Sequence, residues 1–156
     1  MPCSPQTAET GWRRVFSGSV ADVTAASAWV ERIAASLNLP GQLTFSMQVC
    51  LEELMSNIVR HGGAHSYSTA FPAGTDEDNP LSISIDIDIL ADRIAMTIED
   101  NGRPFDVEKA PAKVVDRPLD QVQPGGLGIN LIKNFSHDIE YRRTGAGNRV
   151  TVDFLR

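Results

Sequence analysis

Cysteines, long apolar runs and secretion signals are few or absent in this sequence. Its two cysteines, Cys3 near the N-terminus and Cys50 within a helical pattern, do not make the framework of a disulfide-rich secreted domain. The first residues lack the apolar stretch of a secretory signal, and no apolar run is long enough to span a bilayer. These features predict a cytoplasmic protein that does not enter a membrane.

Positive charge is also in short supply. The chain has 14 lysines and arginines against 20 aspartates and glutamates, which gives a formal net charge of -6 at pH 7. Proteins that bind nucleic acids usually carry a basic patch, and the largest local cluster here is the pair Arg142 and Arg143. The acidic balance favours a protein or small-molecule partner and argues against direct nucleic-acid binding.

The length and composition suit one folded unit, since the chain has 156 residues and 42% of them are hydrophobic. We expect a flexible N-terminal tail over residues 1–11 and a single domain over residues 12–156. Helical periodicity predicts helices over residues 19–37 and 42–61 and a third helix from residue 129.

Alternation of apolar and polar residues predicts the strands. It is clearest over residues 81–90 and 94–98, and it recurs over residues 12–18, 139–144 and 149–155. Alternation with one polar face is typical of antiparallel sheets. The predicted fold is an α/β two-layer sandwich, with a mixed, mostly antiparallel sheet and helices on one face.

The second predicted helix carries an acid and an amide beside its apolar stripe. Glu53 and Asn57 are four residues apart, so they lie one turn apart on one face, whereas Glu52 points away from the stripe. A carboxylate there can accept a proton or orient a nucleophile, and an asparagine oxygen suits Mg²⁺. The alternative is a solvated pair on an ordinary amphipathic helix.

An acidic residue and a glycine stand where a predicted strand ends. Asp100 closes the strand and Gly102 follows in a predicted sharp turn. A carboxylate in this position can accept a hydrogen bond from an exocyclic amine such as that of adenine. The alternative is a plain turn in which the aspartate bonds its own backbone.

A glycine-rich stretch precedes the third predicted helix. Backbone N–H groups at such a helix start can approach an anion, and the helix dipole adds to the attraction. The stretch is not a Walker loop and does not have the Rossmann spacing. A flexible hinge is the alternative reading of its residues, which are Gly125, Gly126, Leu127 and Gly128.

In this order, the three motifs resemble the N, G1 and G2 boxes of the GHKL superfamily of ATPases and kinases, whose domain is the Bergerat ATP-binding fold. The residues from Asn57 to Gly62 and from Asp100 to Phe105 are similar to those of bacterial anti-sigma-factor serine/threonine kinases. The resemblance covers residues 12–155, which is nearly the whole chain.

The resemblance implies a role for each motif residue. Glu53 is expected to be the general base, and Asn57 is expected to hold Mg²⁺ against the phosphates of ATP. Asp100 is expected to bind the adenine amine, and Gly102 to permit the close approach of the base. The remaining nucleotide-binding residues are expected to form the phosphate loop, with Leu127 packed beneath the glycines; they are Gly125, Gly126, Leu127 and Gly128.

The resemblance also identifies two segments around the site. Residues 106–124 are expected to form a lid over ATP, from which Lys113 or Arg117 could reach a phosphate. The loop over residues 63–80 is longer than the family's usual connection. A second departure is Pro104-Phe105, where many superfamily members carry a glycine.

A protein substrate and further partners are implied in the same way. The expected substrate is a serine or threonine of a STAS-domain anti-anti-sigma protein, and the kinase itself is expected to be a homodimer that can sequester a sigma factor. The alternative is a nucleotide-dependent switch that binds a regulatory partner without phosphorylating it, although the retained Glu53 argues against this. Histidine kinases and gyrase-type ATPases are expected not to fit, because they need an upstream helical segment or a transducer domain.

Overall fold

The computed structural model of the chain describes residues 10–61, 80–104 and 128–156. Five strands and three helices occur within these ranges. In chain order they are β1 (Thr10–Ser17), α1 (Val20–Ser36), α2 (Gly41–His61), β2 (Ser82–Ile89), β3 (Arg93–Asp100), α3 (Gly128–Phe135), β4 (Asp138–Arg143) and β5 (Asn148–Leu155).

These positions confirm the predicted helices and strands to within a few residues. One boundary differs, because β1 begins at Thr10 and so includes two residues that were expected in the N-terminal tail. Thr10 pairs with Ile89, and Gly11 pairs with Asp88. Most of the predicted loop over residues 63–80 and all of the predicted lid over residues 106–124 lie outside the described residues.

The strands form one sheet in the order β1-β2-β3-β5-β4. Each pairing between the described strands is antiparallel, which confirms the prediction of a mostly antiparallel sheet. Residues directly opposite each other share a face of the sheet. The register therefore defines a row that runs from Ile85 on β2 through Ile98 on β3 to Val150 on β5.

This row lies on the face of the sheet that the helices cover. Ile85 and Ile98 are buried in the same core cluster as Val30 of α1 and Leu51 of α2. Removing each such side chain from water stabilises the fold by about 1.5–3 kcal/mol. The apolar positions that the alternation singled out therefore join the sheet layer to the helix layer.

Charged pairs occupy the opposite face of the sheet. Arg13 of β1 and Asp86 of β2 approach to 2.8 Å, and Arg149 of β5 pairs with Glu99 of β3. Ion pairs at a partly exposed surface stabilise a fold by only about 0–1 kcal/mol each. Their main consequence here is that one face of the sheet is polar and the other apolar.

Local sequence signals fix the ends of the first two helices. Ser19 caps α1, because its hydroxyl accepts a hydrogen bond from the backbone N–H of Asp22 at 3.2 Å. After α1 the chain turns at Asn38, whose φ of 52° is the left-handed conformation that asparagine tolerates at helix ends. The carbonyl of Pro40 then accepts the first hydrogen bonds of α2, from Leu43 and Thr44.

Within the described ranges, none of the helices has both the length and the apolar character that crossing a membrane would require.

Candidate nucleotide-binding site

Asn57 lies on the core-facing side of α2. It is three residues after Leu54 and seven after Cys50, so the three side chains share one helix face, and all are buried. Asn57 is only 2% exposed, which is deeper than the rim position that the sequence predicted. Its Nδ2 atom is buried and has no hydrogen-bond partner among the described residues.

An unpaired amide is costly in such a position. Leaving a buried donor unsatisfied costs about 1–3 kcal/mol. Packing gives no reason for this polar side chain, since its neighbours along the same face are apolar. A buried polar group that folding alone does not explain points to a ligand.

Glu53 is partly exposed and lies one turn before Asn57 on α2. Cys50 and Glu53 are three residues apart and so are neighbours on the surface of α2. Burial, and then the charge of Glu53, raise the pKa of the Cys50 thiol to about 12. The Cys50 Sγ atom is 3.9 Å from the carbonyl oxygen of Ile132 in α3. This side of α2 therefore packs against the helix that begins at Gly128.

The neighbouring acid, Glu52, belongs to a different contact. It is exposed, as predicted, and its Oε1 accepts a hydrogen bond of 2.6 Å from the hydroxyl of Ser27 in α1. Glu52 therefore joins the two long helices, and Glu53 is the acid that shares a side of α2 with Asn57.

Asp100 is the last residue of β3 and lies on the helix-covered face of the sheet. Its register partners are Ile83 on β2 and Asn148 on β5, and it is 7% exposed. Its Oδ1 accepts hydrogen bonds from the backbone N–H of Gly102 at 2.8 Å and from Asn148 Nδ2 at 2.9 Å. Part of the plain-turn reading is therefore correct, but the carboxylate is also buried and held by a second strand.

Opposing effects act on the Asp100 carboxyl. Burial raises its pKa, whereas the hydrogen bonds from Asn148 and Gly102 and the positive charge of Arg143 lower it. Burial outweighs the other three, so the pKa lies above its usual value of 3.8. Such perturbed carboxyls are concentrated at functional sites.

The β4–β5 hairpin supplies residues that the sequence interpretation missed. Asn148 was assigned to the turn of the hairpin and Arg143 to a small basic cluster, yet both contact the turn after Asp100. Arg143 Nη1 donates to the carbonyl oxygen of Gly102 at 2.8 Å and to Asn148 Oδ1 at 3.1 Å. The signal was present in the sheet register, because Asn148 lies opposite Asp100 once β5 pairs with β3.

A glycine allows the hairpin to come this close. A Cβ atom at Gly147 would lie 1.7 Å from the backbone carbonyl oxygen of Asp100 and 2.8 Å from the Cα of Asn101. Neither atom can move without shifting the end of β3. A side chain at this position therefore cannot be accommodated unless the end of β3 or the hairpin moves.

The third motif is described only in part. Gly128 is the first residue of α3. The rest of the predicted phosphate loop, Gly125, Gly126 and Leu127, lies outside the described residues. The same is true of Lys113 and Arg117. The roles assigned to these residues stay predictions.

The described residues contain no group of three or more His, Cys, Asp or Glu side chains that could hold a metal ion. The oxygen of Asn57 is a single hard donor, which fits Mg²⁺ because that ion usually keeps several waters and phosphate oxygens and takes only one or two protein ligands. The donor set suits Mg²⁺ that arrives with a nucleotide.

Comparison with known proteins identifies the family of the chain. Residues 16–154 match the family described as "Histidine kinase-like ATPase domain". The chain is 32% identical over 136 residues to the serine/threonine-protein kinase BtrW of Bordetella bronchiseptica, which covers 86% of this chain and 87% of that protein. It is 28% identical over 109 residues to the serine-protein kinase RsbW of Staphylococcus aureus, which covers 67% of this chain and 62% of that protein.

A solved structure is similar in fold. The structure of the RsbU and RsbW domains of a Mycobacterium tuberculosis protein matches with a TM-score of 0.57 and 11% sequence identity, over 94% of this chain and 32% of the other. The chain thus spans about a third of that protein and less than two thirds of the Staphylococcus aureus kinase. From the match over residues 16–154 and the likeness to BtrW, we conclude that the chain belongs to the histidine kinase-like ATPase domain family and is a homologue of bacterial serine/threonine-protein kinases.

Proposed function

We propose that the chain is an ATP-dependent serine/threonine-protein kinase that phosphorylates a STAS-domain anti-anti-sigma protein in the cytoplasm. The observation that carries this proposal is the unpaired, buried amide of Asn57 on the side of α2 that also bears Glu53. The family relationship supports the nucleotide, and the printed names of the relatives support the reaction.

Asp100 is the proposed adenine-binding residue. Both of the hydrogen bonds that it accepts from described residues are at Oδ1, so Oδ2 can accept one more. The exocyclic amine of adenine is a donor that matches it. Gly102, whose backbone N–H holds Asp100 Oδ1, keeps the turn close to the proposed position of the base.

Asn57 is the proposed phosphate-end residue. Its Oδ1 would be one ligand to Mg²⁺, and its unpaired Nδ2 could donate to a phosphate oxygen. When bound, Mg²⁺ would neutralise charge on the phosphates, which is the main requirement of phosphoryl transfer. The proposed phosphate loop before α3 would donate backbone N–H groups to the same phosphates; its residues are Gly125, Gly126, Leu127 and Gly128.

Glu53 is the proposed general base. Its partial exposure lets it reach the hydroxyl of a serine or threonine on another protein, from which it would accept the proton during transfer. A positioned base of this kind typically contributes about 10²–10⁴-fold to the rate.

The two adjacent glutamates of α2 provide a matched test of this role. The assay incubates the chain with labelled ATP, Mg²⁺ and a STAS-domain protein from the same organism, and follows the label on the STAS-domain protein. We expect Glu53→Gln to lower phosphotransfer by at least about 100-fold with ATP binding retained. Glu52→Gln, which alters the contact with Ser27 in α1, should leave the rate within a few-fold of wild type.

The same assay separates the kinase from the alternative function. If Glu53→Gln transfers phosphate at the wild-type rate, the role of the base is wrong. If neither the wild-type chain nor Glu53→Gln transfers phosphate but both bind the STAS-domain partner in an ATP-dependent way, the chain is a nucleotide-dependent binding switch.

The resemblance to anti-sigma kinases also leads us to propose a homodimer that can sequester a sigma factor.

A further inference from the structure

Asn148 is the hydrogen-bond hub of the Asp100 turn. It is 3% exposed, and its Nδ2 donates to Asp100 Oδ1 at 2.9 Å and to the carbonyl oxygen of Arg103 at 2.6 Å. Its Oδ1 accepts from the hydroxyl of Tyr141 at 2.7 Å and from Arg143 Nη1 at 3.1 Å. One buried amide thus joins β4, β5 and the turn after β3.

These partners fix the orientation of the amide. Arg143 can only donate and the carbonyl of Arg103 can only accept. A flipped amide would direct Nδ2 at the Arg143 guanidinium and Oδ1 at the Asp100 carboxylate and the Arg103 carbonyl. Three favourable contacts would then become unfavourable, whereas the Tyr141 hydroxyl can accept as well as donate. Asn148 therefore always presents a donor to Asp100 Oδ1, and that oxygen must act as an acceptor.

We propose that Asn148, supported by Arg143, is a positioning residue that holds Asp100 as a hydrogen-bond acceptor and thereby makes the site select adenine over guanine. The inference rests on the proposed nucleotide site, in which Asp100 contacts the base. Adenine presents an N6 amine, a donor, where guanine presents the O6 acceptor. A carboxylate accepts from the first and repels the second, whereas a protonated carboxyl can donate to O6.

Asp100 needs these partners to stay ionised, because opposing effects act on its carboxyl. Burial raises the pKa of Asp100 and so favours the protonated form, which the Asn148 amide, the Gly102 N–H and the Arg143 charge oppose. The register partner on β2, Ile83, is uncharged. Among the described residues, Arg143 is therefore the one charged side chain identified as acting on this carboxyl.

The test compares metal-free ADP and GDP binding by calorimetry between about pH 5.5 and 8. Asn148→Asp keeps the size of the side chain but removes the obligatory donor and places a second carboxylate beside Asp100, so like-charge repulsion raises the pKa of the pair and Asp100 is protonated over a wider pH range. Arg143→Gln removes the charge and is tolerated by the fold because Arg143 is exposed. Arg142→Gln is the matched control, since the exposed guanidinium of Arg142 pairs with Glu140.

We expect the wild-type protein to prefer ADP throughout this range. In Asn148→Asp, the affinity for ADP at pH 7 should fall by about tenfold or more. The pH at which half of the ADP affinity is lost should rise by about one unit. The ratio of ADP affinity to GDP affinity should become smaller. Arg143→Gln should shift the same profile in the same direction by a smaller amount. Arg142→Gln should behave as wild type.

Three results would overturn the inference. The first is that neither Arg143→Gln nor a folded Asn148→Asp protein changes the pH profile of ADP binding or the ratio of ADP affinity to GDP affinity. The second is a uniform loss of affinity for both nucleotides with no shift in the profile, which would mean a purely structural role. The third is a wild-type protein that binds no ADP either without or with Mg²⁺, which would also overturn the proposed nucleotide site.

Discussion

The two buried asparagines of the described core regions differ in how their side chains are satisfied. Asn57 leaves Nδ2 without a partner among the described residues, whereas the Asn148 side chain makes four hydrogen bonds. The first arrangement costs free energy in the absence of a ligand, and the second stabilises the fold. A residue that weakens the empty protein is expected to contribute when a ligand binds.

The same substitution at both asparagines tests this difference. Leucine has the branched shape of asparagine without its polar atoms, so Asn57→Leu should leave the free energy of unfolding unchanged or raise it by about 1 kcal/mol. It should also abolish Mg²⁺–ATP binding. Asn148→Leu removes the hydrogen bonds of this amide to Asp100, to the carbonyl of Arg103 and to the Tyr141 and Arg143 side chains, and should lower the free energy of unfolding by about 2 kcal/mol or more.

Urea unfolding of the ligand-free proteins measures both effects. A loss of stability in Asn57→Leu as large as that in Asn148→Leu would show that the Asn57 side chain stabilises the fold and would argue against a ligand-binding role. Retained Mg²⁺–ATP affinity in Asn57→Leu would contradict its proposed role directly.

The raised pKa of Asp100 predicts a pH dependence of stability. A carboxyl whose pKa is higher in the folded state than in the unfolded chain favours folding at low pH, and the advantage is lost as the pH rises from its usual value of 3.8 through the folded-state pKa. Asp100→Asn removes this titration. Relative to wild type, the variant should therefore gain stability as the pH rises from about 3.5 to 7.

Denaturant unfolding at both pH values gives the measurement. Each unit by which burial raises the pKa corresponds to about 1.4 kcal/mol of relative stability. Asp92→Asn is a suitable control because Asp92 is exposed in the turn between β2 and β3. A relative stability of Asp100→Asn that falls with rising pH would mean that the sign of the pKa shift is wrong.

At the scale of secondary-structure elements, the sequence was informative wherever one periodic pattern decided the outcome. Alternation over residues 81–90 predicted β2, and helical spacing predicted α2. The pairing of β5 between β3 and β4 depends on contacts between distant parts of the chain, which no local pattern records. For that reason the sequence identified Asp100 but not Asn148 or Arg143.

The approach of the β4–β5 hairpin to β3 is testable with two glycines of one turn. Gly147→Ala places a methyl group against the backbone of Asp100, so the end of β3 or the hairpin must move. We expect a loss of about 1–3 kcal/mol in the free energy of unfolding, as for overpacking in a core, together with weaker ADP binding.

Gly145→Ala provides the comparison, because a Cβ at Gly145 has nothing within 4 Å. Its free energy of unfolding should stay within about 0.5 kcal/mol of wild type. Thermal unfolding and ADP titration of the two variants give both readouts. Equal effects of the two substitutions would show that the close approach of Gly147 to Asp100 does not matter.

At the scale of the whole molecule, the residues of the candidate site come from both layers of the fold. The helix layer carries Glu53 and Asn57 on α2, and the sheet layer carries Asp100 at the end of β3. Asn57 and Asp100 are both buried on the sides of their elements that face the other layer. A nucleotide bound between the layers would contact an amide on one side and a carboxylate on the other.

The overall fold was easier to predict than the complete site for a physical reason. Burial of apolar side chains defines the two layers, and the periodic spacing of residues such as Ile85 and Leu51 predicts which side chains are buried. The site depends on single polar residues whose partners come from distant elements, such as the contact of Arg143 with the carbonyl of Gly102. Such contacts leave no periodic trace in a sequence.

The most direct test of the proposed nucleotide site is a crystal structure of the chain with Mg²⁺ and a non-hydrolysable ATP analogue. We expect the adenine amine to donate to Asp100 and the Asn57 side chain to contact Mg²⁺ or a phosphate oxygen of the same nucleotide. A nucleotide bound elsewhere, or one that contacts only one of these two residues, would contradict it.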